Sequence, residues 1–158
     1  MAACALLQQR LPGAFRLDIV GTKEGPFAAE LESRIAAHGL GDIVRWTGFL
    51  ADRDRLYGDL DILVAPAIDE PFGLTVPEAG SYRLPVVAAR SGAFPELVED
   101  GRTGLLFAPG DARELAQALE RLIGDAGLRR RLGEAARSHV AAHFTIATMT
   151  DRFLDALR

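Results

Sequence analysis

Five short apolar runs alternate with helix-like segments along the chain, and this alternation constrains the fold more than any other feature. Each run has the length and apolar content of a buried strand. The runs lie at 16–20, 43–47, 61–65, 85–89 and 104–107. Strands separated by helices of this length favour a parallel sheet, because a parallel neighbour needs a crossover connection. The sequence therefore predicts an α/β fold with a doubly wound parallel sheet, formed as a single domain over residues 1–158.

Turn residues and apolar spacing indicate where the helices begin and end. Pro12 and Gly13 are expected to end the first helix. Asp111 followed by Glu114 has the pattern of a capping box, which opens a helix. Helices are predicted over 2–10, across Phe27, Leu31 and Ile35 as far as Gly39, from Asp111 to Ile123, across Leu128, Leu132 and Val140, and over 146–158.

Composition and charge limit the classes of function. A formal net charge of −4 offers no positive field for nucleic acid. Cys4 is the single cysteine and cannot form an internal disulfide, which favours the reducing cytoplasm. No apolar run approaches the roughly 20 residues needed to span a bilayer. Lys23 is the one lysine among the basic residues, a bias typical of GC-rich bacterial genomes.

Two histidines on a predicted helix invite a metal hypothesis, which the rest of the sequence does not support. His139 and His143 are four residues apart, a spacing that metal ligands use on helices. No third ligand accompanies them in the sequence, so we expect a solvated helix face there and no metal.

The segment from Asp69 to Glu78 carries the most chemistry. It follows the apolar run at 61–65 and contains two carboxylates, Glu70 and Glu78, eight positions apart. Thr75 followed three residues later by Glu78 predicts a helix start of the capping-box type, with Pro77 tolerated in the first turn. The segment is therefore predicted to be strand, loop and helix, with Glu70 in the loop.

A loop of this kind suits a sugar–phosphate ligand. In open α/β sheets, ligands bind where loops leave the carboxyl ends of the strands. Backbone N–H groups at a helix N-terminus favour an anion such as phosphate. Ionised carboxylates accept hydrogen bonds from sugar hydroxyls. These arguments indicate a ligand class and leave the reaction open.

The spacing of Glu70 and Glu78 resembles the E-x7-E signature of retaining GT-B glycosyltransferases, the group 1 or family 4-like enzymes. The likeness covers essentially the whole chain and corresponds to the C-terminal, donor-binding, Rossmann-like domain of that fold. The matching segments are Leu17–Gly21, Val44–Gly48, Asp61–Pro66, Leu84–Ala88, Ser91–Val98, Asp100–Phe107 and Pro109–Asp111.

The resemblance implies donor-binding roles for the residues of the signature. Glu70 would face the hexose as the catalytic carboxylate, and Glu78 would hold the ribose hydroxyls. Backbone N–H groups would be directed at the hexose and the diphosphate, from Phe72, Gly73, Leu74, Thr75 and, in a second loop, Gly92 with Ala93. A simpler interpretation stands beside each role: a capping residue at Glu78, an exposed acid at Glu70, and a tight turn at Gly92.

The resemblance also implies the reaction and what the chain lacks. The whole enzyme would move a hexose from a nucleoside-diphosphate sugar to an acceptor hydroxyl, with no metal or other cofactor. The first central strand of the domain is absent; in the sheet it would lie between the strands at 16–20 and 61–65. Its Arg and Lys, which bind the diphosphate, and the acceptor-binding half are absent as well. We therefore expect a fragment of a two-domain enzyme, inactive alone and completed by its N-terminal half or a partner strand.

Several alternatives remain at this point. The chain could be a non-catalytic nucleotide-binding or assembly module, or part of a sugar epimerase of the same two-domain architecture. Self-association is left open, and any peripheral membrane contact is expected through the absent half. One departure from the family is structural: Arg83 stands where glycine is usual. A glycine there would end the helix in a left-handed conformation, which costs an arginine about 1 kcal/mol or more. A local difference in this loop is left open, and the fold should survive.

Overall fold

The computed structural model describes residues 1–156, apart from the side chains at 149, 151–153 and 156. The end of the last predicted helix, 157–158, lies outside the described residues. The strands are β1 Leu17–Val20, β2 Val44–Gly48, β3 Leu63–Ala65, β4 Val86–Ala89 and β5 Gly104–Phe107. The helices are α1 Ala2–Arg10, α2 Gly25–Ala37, α3 Arg53–Gly58, α4 Thr75–Ser81, α5 Phe94–Leu97, α6 Ala112–Gly124, α7 Ala126–His143 and α8 Ile146–Ala156.

The predicted alternation of strands and helices is confirmed. Each predicted strand is present, with its first residue shifted by at most two positions, and all the ladders between strands are parallel. Asp111 opens α6 as expected, because its Oδ1 accepts the N–H groups of Arg113 at 2.8 Å and Glu114 at 3.0 Å. The fold is α/β with parallel sheets.

The described residues form two compact units, of which the first comprises 1–59 and 111–124. Its sheet consists of β1 and β2, which pair in parallel with Asp18 opposite Arg45. Helix α1 packs against α6, and Leu7 and Leu122 are almost fully buried. This unit therefore has an apolar core of its own.

Helix α2 departs from its predicted apolar face. The helix forms and ends before Gly39, whose φ is +63°. Phe27, however, is 72% exposed, and Ala28 beside it is the buried residue of the helix. The predicted apolar face of Phe27, Leu31 and Ile35 is wrong at Phe27. This residue lies in the first turn of α2, and the buried face begins with Ala28.

The second unit comprises residues 60–110 and 125–158 and contains the three-stranded sheet. The strand order is β3-β4-β5, and every residue of β4 and β5 is buried. Continuous burial of this kind is expected for strands of a parallel sheet whose two faces are both covered. Helix α4, which follows β3, packs extensively against α7.

Within the described part of the chain, the four outer strands β1, β2, β3 and β5 each have one open edge. There, β1 pairs only with β2, and β3 pairs only with β4. β1 and β3 are the strands expected to flank the absent central strand. Because β2 and β5 also have an open edge, the pairing does not test that expectation, and the absent strand stays a prediction.

Arg83 has the left-handed backbone that a glycine would have at this position, so the loop does not differ there. Its φ is +60°, and it follows the last turn of α4. The Arg83 N–H donates to Gly80 O at 2.9 Å, and the Leu84 N–H donates to Ala79 O at 3.1 Å. These two bonds form a Schellman motif, the helix ending that normally selects glycine.

No helix within the described residues is long and apolar enough to cross a membrane.

Candidate functional site

The loop between β3 and α4 is highly exposed. Ile68, Phe72 and Leu74 have 61%, 72% and 67% of their surface exposed. Three large apolar side chains exposed within seven residues are consistent with a surface that a ligand or partner covers. The loop leaves the carboxyl end of a parallel strand, where α/β sheets bind their ligands.

The Glu70 carboxylate binds backbone N–H groups of its own loop. Its Oε1 accepts the N–H groups of Phe72 at 3.3 Å and Gly73 at 3.1 Å. A bond between an ionised acceptor and a backbone N–H is stronger than a neutral one, so the side chain holds the turn in shape. The Phe72 and Gly73 N–H groups, predicted to be directed at a sugar, are here bonded to Glu70.

Helix α4 begins differently from the predicted capping box. Thr75 is its first residue, and the N-cap is Leu74, which supplies no side-chain cap. Leu74 already has helical φ and ψ of −55° and −26°, whereas a capping Thr must have extended backbone. The capping box is therefore wrong, because the helical turn starts one residue earlier than predicted.

The first turn of α4 still presents the expected groups. Pro77 lies in this turn as predicted, and Glu78 is half-buried with its N–H bonded to Leu74 O at 3.1 Å. Leu74 and Thr75 are exposed, so the amino end of the helix is open in this unit. The structure thus places Glu70, Phe72, Gly73, Leu74, Thr75 and Glu78 on one loop–helix segment.

A second loop, following β4, supports the first. The Ala93 N–H donates to Glu70 O at 2.8 Å, so it bonds to the protein itself. At Gly92, with φ +56°, a Cβ would lie 2.4 Å from Glu70 O. Gly92 therefore has a packing reason beside its predicted role at the donor, which stays a prediction.

Two residues of this support were missed in the sequence. Ser91 Oγ accepts the Asp69 N–H at 3.0 Å and donates to Asp69 Oδ1 at 3.0 Å. A signal existed, because both residues follow the carboxyl ends of apolar runs and such ends lie side by side in a parallel sheet. The pairing of those particular strands was needed to connect them.

Helix α5 closes the underside of the Glu70 loop. A Cβ at Gly73 would lie 2.8 Å from Leu97 Cδ1 and 3.0 Å from Phe94 Cε1. Phe94 is almost completely buried. The loop therefore rests on a packed apolar floor, although its outer surface is exposed.

The predicted solvated face is correct for His143, which is exposed, and wrong for His139. His139 is only 15% exposed, with Nδ1 3.3 Å from Glu99 Oε1. The His143 ring lies with its centroid 4.7 Å from that of His139. The prediction fails for His139 because α7 packs against α4 and β5. Within the described residues, no group of three or more His, Cys, Asp or Glu side chains could hold a metal ion.

Residues 1–139 match the family described as Glycosyl transferases group 1. The chain belongs to this glycosyltransferase family. Among curated relatives, it is 38% identical over 120 residues to the lipopolysaccharide core biosynthesis mannosyltransferase LpcC of Rhizobium leguminosarum bv. viciae. It is 34% identical over 166 residues to a D-inositol 3-phosphate glycosyltransferase of Saccharomonospora viridis. These alignments include 76% and 100% of the chain.

The match covers only part of each relative. The chain spans 34% of the LpcC mannosyltransferase and 38% of the D-inositol 3-phosphate glycosyltransferase, about a third of each. It therefore corresponds to one portion of such glycosyltransferases.

Solved glycosyltransferase structures identify that portion. Anabaena HepE in complex with UDP has a TM-score of 0.86 and 31% identity, covering 99% of this chain and 43% of HepE. The C-terminal domain of the group 1 glycosyl transferase LpcC from Francisella tularensis has a TM-score of 0.80 and 28% identity. That comparison covers 92% of this chain and 77% of the domain structure. The predicted family and the fold of its C-terminal domain are confirmed, and the roles of individual site residues stay predictions.

Proposed function

We propose that the chain is the donor-binding domain of a retaining glycosyltransferase. The complete enzyme moves a hexose from a nucleoside-diphosphate sugar to an acceptor hydroxyl. The observation that carries this proposal is the exposed turn from Glu70 to Thr75, built at the carboxyl end of β3 in a chain of this family. HepE, which shares the fold at 31% identity, has been solved with UDP and with UDP-glucose.

Glu70 orients the hexose in this proposal. Its Oε1 is occupied by two backbone N–H groups, which fix the direction of the carboxylate. An ionised carboxylate has about four lone-pair sites, so Oε2 can accept sugar hydroxyls while Oε1 holds the loop. The Phe72 and Gly73 N–H groups then act on the hexose by way of Glu70.

Leu74, Thr75 and Glu78 hold the nucleotide part of the donor. The leading N–H groups of a helix have no partner within the helix, and in this proposal they donate to the diphosphate. Glu78, in the first turn, accepts the ribose hydroxyls. Gly92 brings the second loop close enough to complete the sugar side of the site.

The reaction breaks the bond between the anomeric carbon and the diphosphate oxygen, and forms a bond from that carbon to the acceptor oxygen. The electron pair of the broken bond stays on the diphosphate, and the proton of the acceptor hydroxyl is released together with this leaving group. Charge therefore develops on the leaving group, where N–H groups stabilise it. No metal takes part in this proposal.

Calorimetric titration of the 158-residue chain tests the proposal. UDP, UDP-glucose, GDP and GDP-mannose are titrated into wild type, Glu78→Ala and Glu120→Ala. Glu120 is a matched control, because it is also a half-exposed glutamate on a helix. It forms an ion pair from α6 to Arg10 on α1, outside the loop–helix segment of Glu70 and Glu78. We expect one nucleotide series to bind, with roughly a tenfold loss in Glu78→Ala and little change in the control.

Two outcomes would contradict the proposal. One is that no nucleotide binds to the wild type. The other is that both variants lose affinity equally, so that the loss reports general destabilisation. Tight self-association without nucleotide binding would support an assembly module instead.

A further inference from the structure

Asp69, immediately before Glu70, has a backbone conformation that needs support. Its φ is +56°, and Arg83 is the other non-glycine residue with positive φ in the described part of the chain. Such conformations are uncommon for residues with a side chain and persist where the surroundings over-determine them. Asp69 is itself exposed, so the support must come from specific bonds.

Ser91 supplies those bonds from the loop that follows β4. Its Oγ accepts the Asp69 N–H at 3.0 Å and donates to Asp69 Oδ1 at 3.0 Å. One hydroxyl thus binds both the backbone and the side chain of Asp69. Rotation of Asp69 out of its left-handed conformation would break both bonds together.

Gly92 and Ala93, which follow Ser91, contact Glu70 in the same loop as Asp69. The Ala93 N–H donates to Glu70 O at 2.8 Å. Gly92 approaches so closely that a Cβ would lie within 2.4 Å of Glu70 O and 2.6 Å of Glu70 N. The peptide groups on both sides of Asp69–Glu70 are therefore held by the loop of Ser91, Gly92 and Ala93.

We propose that Ser91 is a positioning residue of the donor site. Its hydroxyl holds Asp69 in the left-handed conformation, and this directs the Glu70 carboxylate onto the Phe72 and Gly73 N–H groups. Ser91 therefore sets where the free oxygen of Glu70 meets the hexose, without touching the donor. The inference deepens the proposed function and rests on it for the link to the sugar.

Amide hydrogen exchange measured by NMR tests the mechanical part without any ligand. In Ser91→Ala, exchange should accelerate about fivefold at Asp69, and equally at Phe72 and Gly73, as expected for losing one hydrogen bond. Amides of Val87 and Ala88, in the fully buried strand β4, should stay unchanged and show that the fold is intact. Acceleration confined to Asp69, or at none of the three, would overturn the proposal.

Ser138→Ala is the matched control. Ser138 is an exposed serine on α7 whose hydroxyl donates to Glu134 O at 3.0 Å, so the same chemical group is removed together with a hydrogen bond that it donates. It should leave the exchange of Phe72 and Gly73 unchanged. Acceleration equal to that in Ser91→Ala would show a general effect and would also overturn the proposal.

Ligand binding tests the functional part through the sugar increment, the ratio of the UDP dissociation constant to that of UDP-glucose. Ser91→Ala should lower this ratio about fivefold while UDP affinity stays within about twofold. In a Glu70→Ala background, Ser91→Ala should have no further effect on the ratio, because Ser91 acts through Glu70. Additive losses would contradict the proposal. If the wild type binds no nucleotide, the proposed function fails, and the exchange experiment alone decides whether Ser91 positions Glu70.

Discussion

At the scale of the residue, Arg83 pays a conformational cost that glycine would avoid. With φ at +60°, it occupies the left-handed position of a Schellman motif. Its guanidinium pairs with Glu134 at 3.1 Å, but both side chains are more than half exposed. An exposed ion pair of this kind contributes little, so the backbone term should dominate.

Replacing Arg83 by glycine should therefore stabilise the protein relative to replacing it by alanine. We expect Arg83→Gly to exceed Arg83→Ala by about 1 kcal/mol in free energy of unfolding, measured by urea denaturation. Arg130, exposed on α7, is the control, since glycine in a helix interior costs about 1 kcal/mol relative to alanine. If the same variant, glycine or alanine, were the more stable one at both Arg83 and Arg130, the conformational argument would be refuted.

Gly92 gives a second prediction at this scale. Alanine there should lower the free energy of unfolding by about 1–3 kcal/mol more than alanine at Gly110. Both glycines have positive φ, but a Cβ at Gly110 meets nothing within 4 Å, whereas one at Gly92 would overlap Glu70. Denaturant titration of the two variants separates the steric cost from the conformational one. Equal losses would mean that the loop of Glu70 moves away at no cost.

At the scale of the element, the β1–β2 ladder contains a cross-strand ion pair. Asp18 is only 8% exposed at its side chain, and it accepts bonds from Arg16 and Arg45 through both oxygens. Burial by itself raises the pKa of Asp18, but the hydrogen bonds and charges of Arg45 and Arg16 outweigh it and leave the pKa lowered. The carboxylate is therefore stabilised in its charged form.

A lowered folded-state pKa has a definite pH signature. The unfolded pKa is about 4, so the stabilisation is fully present above that pH and is lost as the pH falls through the folded value. Asp18→Asn should lower the free energy of unfolding by about 1–2 kcal/mol at pH 7, and the deficit should shrink below about pH 4. Urea denaturation from pH 7 to pH 3 measures this. A deficit independent of pH would show that packing, and not charge, is lost.

The elements also show how far the sequence could predict this protein. The strands followed from apolar runs, because continuous burial leaves a pattern that needs no tertiary knowledge. The start of α4 was missed, since Leu74 carries no capping signal and extends the helix through its backbone alone. The pairs Asp18–Arg45 and Asp69–Ser91 were also missed, because each depends on which strands are neighbours and in which register.

At the scale of the whole molecule, binding and turnover should separate. The chain spans about a third of the length of the curated relatives it matches. In the proposed function, the acceptor-binding half and the cationic residues for the diphosphate belong to the parts of the enzyme that the chain does not match. Stabilisation of the charge on the leaving group is usually the largest contribution to catalysis. A domain without this stabilisation can bind a donor and still fail to transfer its sugar.

We therefore expect the purified 158-residue chain to bind its nucleotide sugar without releasing the nucleoside diphosphate faster than buffer does. Chromatographic detection of UDP or GDP in the presence of a hexose acceptor measures this, with and without EDTA.

Donor affinity should not change on adding EDTA, because the proposed ligands are carboxylates and N–H groups that act directly on the donor. Sustained turnover by the chain alone would mean that these residues already contain the leaving-group stabilisation. Loss of binding with EDTA would instead place a cation between the protein and the diphosphate.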